Sequence, residues 1–362
     1  MSCEEYMQQA LELARKGSRT CSPNPAVGCL IVKGDEIIGR GWHEKAGGPH
    51  AEIVALEDAG ENARGADVYV TLEPCCHHGR TGPCTKALIE AGVARVYIGS
   101  NDTNPQVSGK GIKELEDAGI EVNLNLVEEA RRMNEAHEKF VMTGKPFVIL
   151  KAATSLDGRI ALGEDSKWIS CEESRHIVHE LRDQVDAILV GIGTVLSDNP
   201  RLTARPVGRE GKKITRVIID SELRIPNQCE VLGKDECEVL VFASNRASQK
   251  RIGELQSMGV EVIVLDDGNG RVDLDAVLAE LGKREIASLL VEGGAEIFTS
   301  FVKGRLADKI VLFLSARFLG SQGKPIFGDL GLSGLDGCRI YHLNAEKSGC
   351  DIMVEAYLKD VQ

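Results

Sequence analysis

The stretch Pro49-His50-Ala51-Glu52, followed further along by Cys75-Cys76-His77-His78-Gly79-Arg80-Thr81-Gly82-Pro83-Cys84, decides how this chain is interpreted. Zinc takes imidazole nitrogen and thiolate sulfur in tetrahedral sites, and a catalytic zinc keeps one position open for water. His50, Cys75 and Cys84 are therefore candidate ligands of one zinc ion per chain. Glu52 follows closely after His50, where its carboxylate could carry protons between a metal-activated water and a leaving amine.

A structural zinc site is the alternative interpretation of the same stretch. A structural zinc normally has a fourth protein ligand, and Cys76, His77 or His78 could each supply it. Glu52 argues for catalysis, because a purely structural site has no need of a carboxylate beside its histidine ligand.

The order His50-Ala51-Glu52, Pro74-Cys75 and a later cysteine resembles the signature of the zinc nucleobase deaminases. The long interval between Cys75 and Cys84 is similar to that of the deaminase half of bifunctional riboflavin-biosynthesis deaminase–reductases. The motif has its first cysteine directly after proline, which favours Cys75 over Cys76 as ligand. This family more often has serine where Cys76 stands.

The resemblance also implies that Asn24 and His43 contact the pyrimidine. Both residues flank a predicted hairpin that leads into the His50 motif. Asn24 lies in a Pro-Asn-Pro loop, where it could equally serve as a turn former.

The composition excludes several classes of protein. The chain has 362 residues with a formal net charge of −12, whereas nucleic-acid binders carry a basic surface. No apolar run approaches membrane-spanning length, and the acidic start Met1–Glu5 lacks the features of a secretory signal. Eleven scattered cysteines form no short disulfide framework. We expect a cytoplasmic homo-oligomer without nucleic-acid or membrane partners, and the resemblance implies that it acts on a small phosphorylated pyrimidine.

Apolar periodicity predicts that strands and helices alternate along the first half of the chain. Strands are predicted over 27–32, 36–42, 66–72, 95–99 and 120–124, and helices over 4–16, 50–59, 110–118 and 127–141. A further helix would have Thr81 as its N-cap and Pro83 as its first residue, with Cys84 in the first turn. This pattern indicates a three-layer α/β/α domain over residues 1–144, which the resemblance makes cytidine-deaminase-like.

Thr143-Gly144-Lys145-Pro146 is the best domain boundary, and a second α/β domain is predicted over residues 145–362. Its strands are predicted near 147–153, 186–190, 215–219, 238–242, 260–265, 287–291 and 308–314, with helices near 172–183, 247–258, 273–281 and 294–304. Residues 318–362 begin as a loop, and closing strands are expected after it.

Two glycine pairs follow predicted strands in the second half, Gly191-Ile192-Gly193-Thr194 and Glu292-Gly293-Gly294-Ala295. The first pair is only half of a dinucleotide fingerprint, because it lacks the third glycine. Backbone amides at such turns can nevertheless hold a diphosphate with help from the helix dipole. Two such turns in one domain favour a nucleotide site.

The order of these segments resembles the reductase half of the same family, whose fold is similar to that of dihydrofolate reductase. The resemblance implies that NADPH contacts Ala153, Trp168, Thr194, Asp198, Ser221, Gly294, Ala295, Glu296, Ile297, Phe298, Thr299 and Ser300. It implies that the ribosyl phosphate substrate contacts Ser166, Arg182, Leu202, Arg205 and Glu292, with Lys151 and Asp157 in the same cleft. Arginine forks suit phosphate recognition, although a single arginine is more often a surface residue.

The favoured hypothesis is therefore a bifunctional enzyme of riboflavin biosynthesis, a zinc-dependent deaminase followed by an NADPH-dependent reductase. One rival is a cytidine or tRNA deaminase with an unrelated second domain, against which the acidic charge and the long cysteine interval both argue. The other rival is a binding protein in which zinc is structural and the second domain senses a nucleotide.

Overall fold

The computed structural model describes residues 1–77, 82–104, 107–125, 127–163, 168–233, 237–333, 337 and 339–359. It divides into two compact units, Met1–Lys145 and Pro146–Gln362. Each unit is built around one main sheet with helices packed on it. Among the helices of the described part of the chain, none combines the length and apolar character needed to span a membrane.

The N-terminal unit contains a five-stranded sheet, formed by the strands Gly28–Lys33 (β1), Glu36–Trp42 (β2), Asp67–Val70 (β3), Arg95–Ile98 (β4) and Glu121–Leu124 (β5). Their order in the sheet is β2-β1-β3-β4-β5. Its helices are Cys3–Gly17 (α1), Ala51–Ala59 (α2), Cys84–Ala91 (α3), Lys110–Asp117 (α4), Glu128–Met133 (α5) and Glu135–Thr143 (α6). The β3, β4 and β5 strands are parallel, so their carboxyl ends meet at one edge.

Close helix packing on this sheet depends on a glycine in β2. A Cβ atom on Gly41 would overlap the carbonyl oxygen of Ala51, at the start of α2. The missing side chain lets α2 lie directly against the hairpin of β1 and β2. The helix start, with His50 immediately before it, is thereby fixed relative to the sheet.

The prediction of one helix over 127–141 is wrong, because the chain forms two helices that break at Asn134. The Asn134 side chain is buried and satisfies the backbone of Ala26, accepting from its amide at 2.8 Å and donating to its carbonyl at 3.0 Å. Asparagine that bonds a distant backbone competes with helical hydrogen bonding. The break therefore ties the end of this unit to the loop that carries Asn24.

The start of α3 also differs from the prediction. Pro83 is extended, with φ −61° and ψ 132°, and it precedes the helix rather than forming its first residue. Cys84 is itself the first helical residue. The predicted N-cap Thr81 lies outside the described residues.

The C-terminal unit contains a nine-stranded sheet, formed by the strands Phe147–Ser155 (β6), Ala187–Gly191 (β8), Thr215–Ile219 (β9), Val239–Ala243 (β10), Glu261–Val264 (β11), Ser288–Val291 (β12), Lys309–Ser315 (β13), Tyr341–Ser348 (β15) and Asp351–Tyr357 (β16). Their order in the sheet is β11-β10-β9-β8-β12-β6-β13-β16-β15. Neighbouring strands are parallel from β11 to β13, and β16 and β15 close the sheet in antiparallel pairing. The expected closing strands after residue 318 are thus confirmed.

Both faces of this sheet carry apolar side chains that are buried in hydrophobic clusters. Alternate residues of β8 divide between two hydrophobic clusters, with Leu189 in one and Ile188 in the other. The helices Glu172–Gln184 (α7), Ile192–Asp198 (α8), Gln249–Ser257 (α9), Leu274–Lys283 (α10) and Ala295–Lys303 (α11) alternate with the strands in the chain. Helix α8 is not among the elements predicted from the sequence. The same is true of the two short strands Arg159–Ala161 (β7) and Lys324–Pro325 (β14), which form an antiparallel pair with each other.

Candidate active sites

The predicted zinc ligands of the N-terminal unit lie together. The Nδ1 atom of His50 lies 3.2 Å from Cys84 Sγ and 3.5 Å from Cys75 Sγ, and the three ligand atoms are all within 4.8 Å of one another. Within the described part of this unit, these three residues form the group able to hold a metal, and Cys76 and His77 are not in it. His78 lies outside the described residues.

Each ligand is held at the end of a secondary-structure element. His50 immediately precedes α2, Cys84 begins α3, and Cys75 lies in the segment that follows β3. The Cys84 amide donates to Cys75 Sγ at 3.5 Å, and the Thr85 amide donates to the Cys75 carbonyl at 3.2 Å. Helix N-termini favour negative charge, so this placement suits thiolate ligands.

Glu73 anchors the segment that carries Cys75, a role that sequence analysis missed. Its buried carboxylate accepts four backbone hydrogen bonds of 3.1 to 3.3 Å, from the amides of Asp102, Gly109, Gly111 and Ile112. Three of these amides belong to the start of α4, where a carboxylate also complements the helix dipole. A Cβ atom on Gly111 would overlap the Pro74 carbonyl, so glycine is needed for this close approach.

Glu52 lies in the first turn of α2, and its side chain is buried beside the ligand sulfurs. Burial raises the pKa of Glu52, the neighbouring Cys75 adds to the rise, and the resulting pKa is about 7. A hydrogen bond from the Cys84 thiol lowers the pKa of Cys75 to about 4, whereas the same contact and burial raise the pKa of Cys84. One nitrogen, two sulfurs and an adjacent carboxylate are a donor set that fits zinc with an open position.

Asn24 and His43 form a hydrogen-bonded pair beside the metal ligands. The side-chain nitrogen of Asn24 lies 3.0 Å from His43 Nε2, and His43 Nδ1 lies 2.9 Å from the Pro49 carbonyl. The rings of His43 and His50 meet edge to face at 5.4 Å. Burial lowers the pKa of His43, which favours a neutral ring that donates to Pro49 and accepts from Asn24.

An ion-pair cluster lies in the C-terminal unit, built from three of the predicted substrate residues. Arg182 donates from Nε and Nη2 to the two oxygens of Glu292, each at 2.7 Å, and Lys151 Nζ lies 3.9 Å from the same carboxylate. Burial would raise the pKa of Glu292, but the two cations outweigh it and hold that pKa at about 2. The fork of Arg182 therefore faces Glu292, and its Nη1 donates to the Thr203 carbonyl.

Arg205 lies next to this cluster and contacts His179, which sequence analysis missed. The Arg205 amide donates to His179 Nδ1 at 3.3 Å, and Arg205 Nη2 lies 3.3 Å from His179 Nε2. Burial, Arg182 and Arg205 lower the pKa of His179 to about 4. Leu202 has φ +51°, a left-handed conformation that side chains with a Cβ rarely adopt. Such strain is typical of functional loops.

The two glycine turns lie side by side at the carboxyl ends of β8 and β12, which are paired strands. A Cβ atom on Gly191 would lie 2.6 Å from the Ile297 side chain, and one on Gly293 would lie 2.8 Å from it. Gly294 precedes α11 and offers no side-chain cap to its first amides. Uncapped amides at the carboxyl edge of a parallel sheet fit the phosphates of a dinucleotide such as NADPH.

The remaining predicted cofactor and substrate residues have varied surroundings. Phe298 was predicted to contact NADPH, but its side chain is packed in the hydrophobic core, because α11 turns that face toward the sheet. Asp157 accepts from the amides of Leu319 and Gly320, so its carboxylate anchors a loop. Trp168 is 60% exposed and stacks on Arg175. Ser166 lies outside the described residues.

Both units of the chain match known protein families. The family model described as the cytidine and deoxycytidylate deaminase zinc-binding region matches residues 1–100, and the RibD C-terminal domain matches residues 146–354. The riboflavin biosynthesis protein RibD of Aquifex aeolicus is 42% identical over 354 residues, with 97% of each chain covered. That of Escherichia coli is 40% identical over 340 residues, covering 90% of this chain and 91% of its own.

Solved structures agree with the sequence matches. Acinetobacter baumannii RibD has a TM-score of 0.85 at 37% identity, with 98% of both chains covered. A Thermotoga maritima diaminohydroxyphosphoribosylaminopyrimidine deaminase/5-amino-6-(5-phosphoribosylamino)uracil reductase has a TM-score of 0.84 at 39% identity, again with 98% coverage of both chains. The chain therefore belongs to the RibD family of riboflavin biosynthesis proteins, in which a zinc-binding deaminase unit and a reductase unit are joined.

Proposed function

We propose that this chain catalyses two consecutive steps of riboflavin biosynthesis. The N-terminal unit would hydrolytically deaminate 2,5-diamino-6-ribosylamino-4(3H)-pyrimidinone 5′-phosphate. The C-terminal unit would then use NADPH to reduce the ribosyl group to ribityl, giving 5-amino-6-(5-phosphoribitylamino)uracil. The observation that carries the proposal is the convergence of His50, Cys75 and Cys84 beside the buried carboxylate of Glu52, in a chain of the RibD family.

In the deaminase site, His50, Cys75 and Cys84 would hold the zinc ion. When bound, zinc supplies the Lewis acidity that makes water a nucleophile near neutral pH. Three protein ligands leave the fourth position available to that water. The ligand atoms need little rearrangement, because they already lie within 4.8 Å of one another.

Glu52 would be the proton carrier of the deamination. Its carboxylate takes a proton from the attacking water and later passes one to the departing amine, which leaves as ammonia. Asn24 and His43 would position the pyrimidine ring next to Glu52. Their mutual hydrogen bond fixes both side chains before substrate arrives, so little order is lost on binding.

In the reductase site, NADPH supplies the hydride, and the protein orients the reactants. The turns at Gly191–Thr194 and Gly293–Gly294 would hold the cofactor phosphates through backbone amides. Arg205 would bind the substrate phosphate, because the fork of Arg182 is directed at Glu292. Arg182, Glu292 and Lys151 would then orient the ribosyl group as one charged unit.

We also propose that the enzyme is a cytoplasmic homo-oligomer. Each chain would have a deaminase domain over residues 1–144 and a reductase domain over residues 145–362. Large apolar side chains are exposed in the C-terminal unit, and Leu343, 58% exposed, lies on the edge strand β15. A second copy that covers this edge would remove apolar surface from water. Light scattering of the purified chain tests the homo-oligomer, because the mass of a monomer would contradict it.

Replacement of Glu52 by glutamine tests the deaminase assignment. E52Q keeps the shape of the side chain but removes the proton carrier, so ammonia release should fall about 10²- to 10⁴-fold. Zinc content, measured by elemental analysis, should stay unchanged. The matched control is E57Q, an exposed position on the same helix, which should retain full activity. Ammonia release by zinc-loaded E52Q at the wild-type rate would remove Glu52 from the mechanism.

A further inference from the structure

A second group of metal-binding side chains lies in the C-terminal unit, apart from the residues assigned to the reductase site. The sulfur atoms of Cys171 and Cys350 and a carboxylate oxygen of Asp351 all lie within 4.8 Å of one another. Cys171 immediately precedes α7, and Cys350 and Asp351 lie where β15 turns into β16. The cluster thus joins residues that are far apart in sequence.

Asp351 is held rigidly within this cluster. Its side chain is 2% exposed, and its Oδ2 atom accepts from the Cys171 amide at 2.7 Å and from the Ser174 hydroxyl at 2.8 Å. The other oxygen, Oδ1, accepts from the Cys350 thiol at 3.8 Å. One oxygen therefore fixes the carboxylate, while the other contacts the sulfur of Cys350.

A second carboxylate, that of Glu173, lies beside Cys171 in the space left by a glycine. A Cβ atom on Gly349 would lie 2.5 Å from Glu173 Oε2 and 2.9 Å from Cys171 Sγ. Gly349 also has φ +59°, a conformation that favours glycine. Because no side chain separates them, Glu173 and Cys171 share this small volume. The Glu173 carboxylate lies outside the group of three donor atoms and would have to turn toward it to act as a fourth donor.

The combination of donors selects the chemistry of a ligand. Two sulfurs with carboxylate oxygens suit zinc, which accepts both atom types in four-coordinate sites, whereas magnesium and calcium prefer oxygen alone. A disulfide between Cys171 and Cys350 would use neither carboxylate. A divalent cation would instead offset the negative charge of both carboxylates and of the thiolates it creates.

We propose that Cys171, Cys350 and Asp351, with Glu173 as the fourth ligand, form a second, structural zinc site. The site would fasten the start of α7 to the β15–β16 turn. Helix α7 also carries His179 and Arg182, so the metal would steady one wall of the substrate cleft. Four protein ligands leave no position for water, which is typical of structural rather than catalytic zinc.

Metal content of the full-length protein tests the proposal. After zinc loading and buffer exchange, elemental analysis should find two zinc ions per wild-type chain. C350S should lose one of them, C75S should lose the other, and the double variant should lose both. The control C229S removes a cysteine outside both clusters and should keep two. A wild-type chain with one zinc, lost in C75S and kept in C350S, would overturn the proposal.

A measurement on the wild-type protein avoids any folding defect of the variants. Cys350 is exposed, so iodoacetamide should alkylate it readily in chelator-treated protein. Added zinc should slow alkylation of Cys350 and Cys171, read by peptide mass spectrometry, while exposed Cys3 reacts at the same rate with and without the metal. Equal alkylation of Cys350 with and without zinc would contradict the site. A peptide in which Cys350 is cross-linked to Cys171 would also overturn it, in favour of a disulfide.

Discussion

Arg182 and Glu292 meet through two parallel hydrogen bonds of 2.7 Å, and both side chains are nearly buried, with 14% and 10% exposed. Paired, bidentate geometry of this kind is the strongest form of ion pair in proteins. Because Arg182 also donates to the Thr203 carbonyl, the pair links α7, the end of β12 and the loop that carries Arg205. The reductase cleft is thus shaped by a charged contact within the protein itself.

Replacement of Glu292 by glutamine should destabilise the C-terminal unit. E292Q leaves Arg182 and Lys151 buried without their anion, and breaking a buried pair in this way costs about 3–5 kcal/mol. Urea denaturation should show this loss, while ammonia release by the N-terminal unit is retained. The control E230Q breaks the exposed pair of Arg201 and Glu230 and should change stability by less than about 1 kcal/mol. Equal stability of E292Q and E230Q would contradict the account.

Arg205 should affect the substrate more than the cofactor. A charge-assisted hydrogen bond contributes about 1.5–3 kcal/mol, so R205A should raise the KM for the ribosyl phosphate by about 10- to 100-fold. The KM for NADPH should stay near the wild-type value. The control R201A removes an exposed arginine of the same loop that pairs with Glu230. An equal rise of both KM values in R205A would remove Arg205 from the phosphate site.

Glu73 should control the integrity of the metal site without touching the metal. E73Q cannot accept four amide hydrogen bonds, because its NH₂ group faces amide donors. The loss of these bonds should destabilise the N-terminal unit by about 1–3 kcal/mol and weaken zinc retention during dialysis. The control E90Q lies in an exposed i,i+4 pair with Lys86 and should behave as wild type. Unchanged stability and zinc retention in E73Q would contradict this role.

The deaminase site was largely predictable from sequence because its chemistry is local. His50 and Glu52 share one motif, Cys75 and Cys84 share another, and short segments at helix and strand ends bring them together. Glu73 was not recognised as an anchor, because its partners are backbone amides near residue 110 that carry no sequence signal. The break at Asn134 escaped prediction for a similar reason, since its cause is a contact with Ala26.

The reductase site was predictable only as a set of residues. The sequence predicts Arg182 and Glu292 as separate substrate contacts, but their mutual hydrogen bonds depend on how α7 packs beside β12. His179 lies on α7 one turn before Arg182, and nothing in its local sequence distinguished it from a surface histidine. The resemblance predicts cofactor contacts for the whole stretch that contains Phe298. The helical repeat, however, turns the side chain of Phe298 into the hydrophobic core.

His179 should make stability depend on pH. Its pKa of about 4 in the folded chain lies below the ordinary value of 6.5, so the unfolded chain binds the proton first. The contribution of His179 to the free energy of unfolding is therefore fully present above about pH 6.5 and is lost as the pH falls toward 4. Allowing for solvent screening at this partly exposed ring, the loss is about 1 kcal/mol.

Substitution of the histidine checks this linkage. The variant H179Q should show a flatter dependence of unfolding free energy on pH between 6.5 and 4 than the wild type. The control H176Q, on an exposed turn of the same helix, should keep the wild-type slope. If H179Q and wild type lose stability in parallel over this range, His179 is not held neutral by its neighbours.

The most direct test of the central claim is to incubate the zinc-loaded chain with the diaminopyrimidinone ribosyl phosphate, with and without NADPH. Ammonia released and NADPH oxidised are measured in the same samples. The account predicts ammonia without NADPH, and equal amounts of ammonia formed and NADPH consumed when the cofactor is present. No ammonia from zinc-loaded protein would contradict the proposed substrate and the catalytic role of the site formed by His50, Cys75, Cys84 and Glu52.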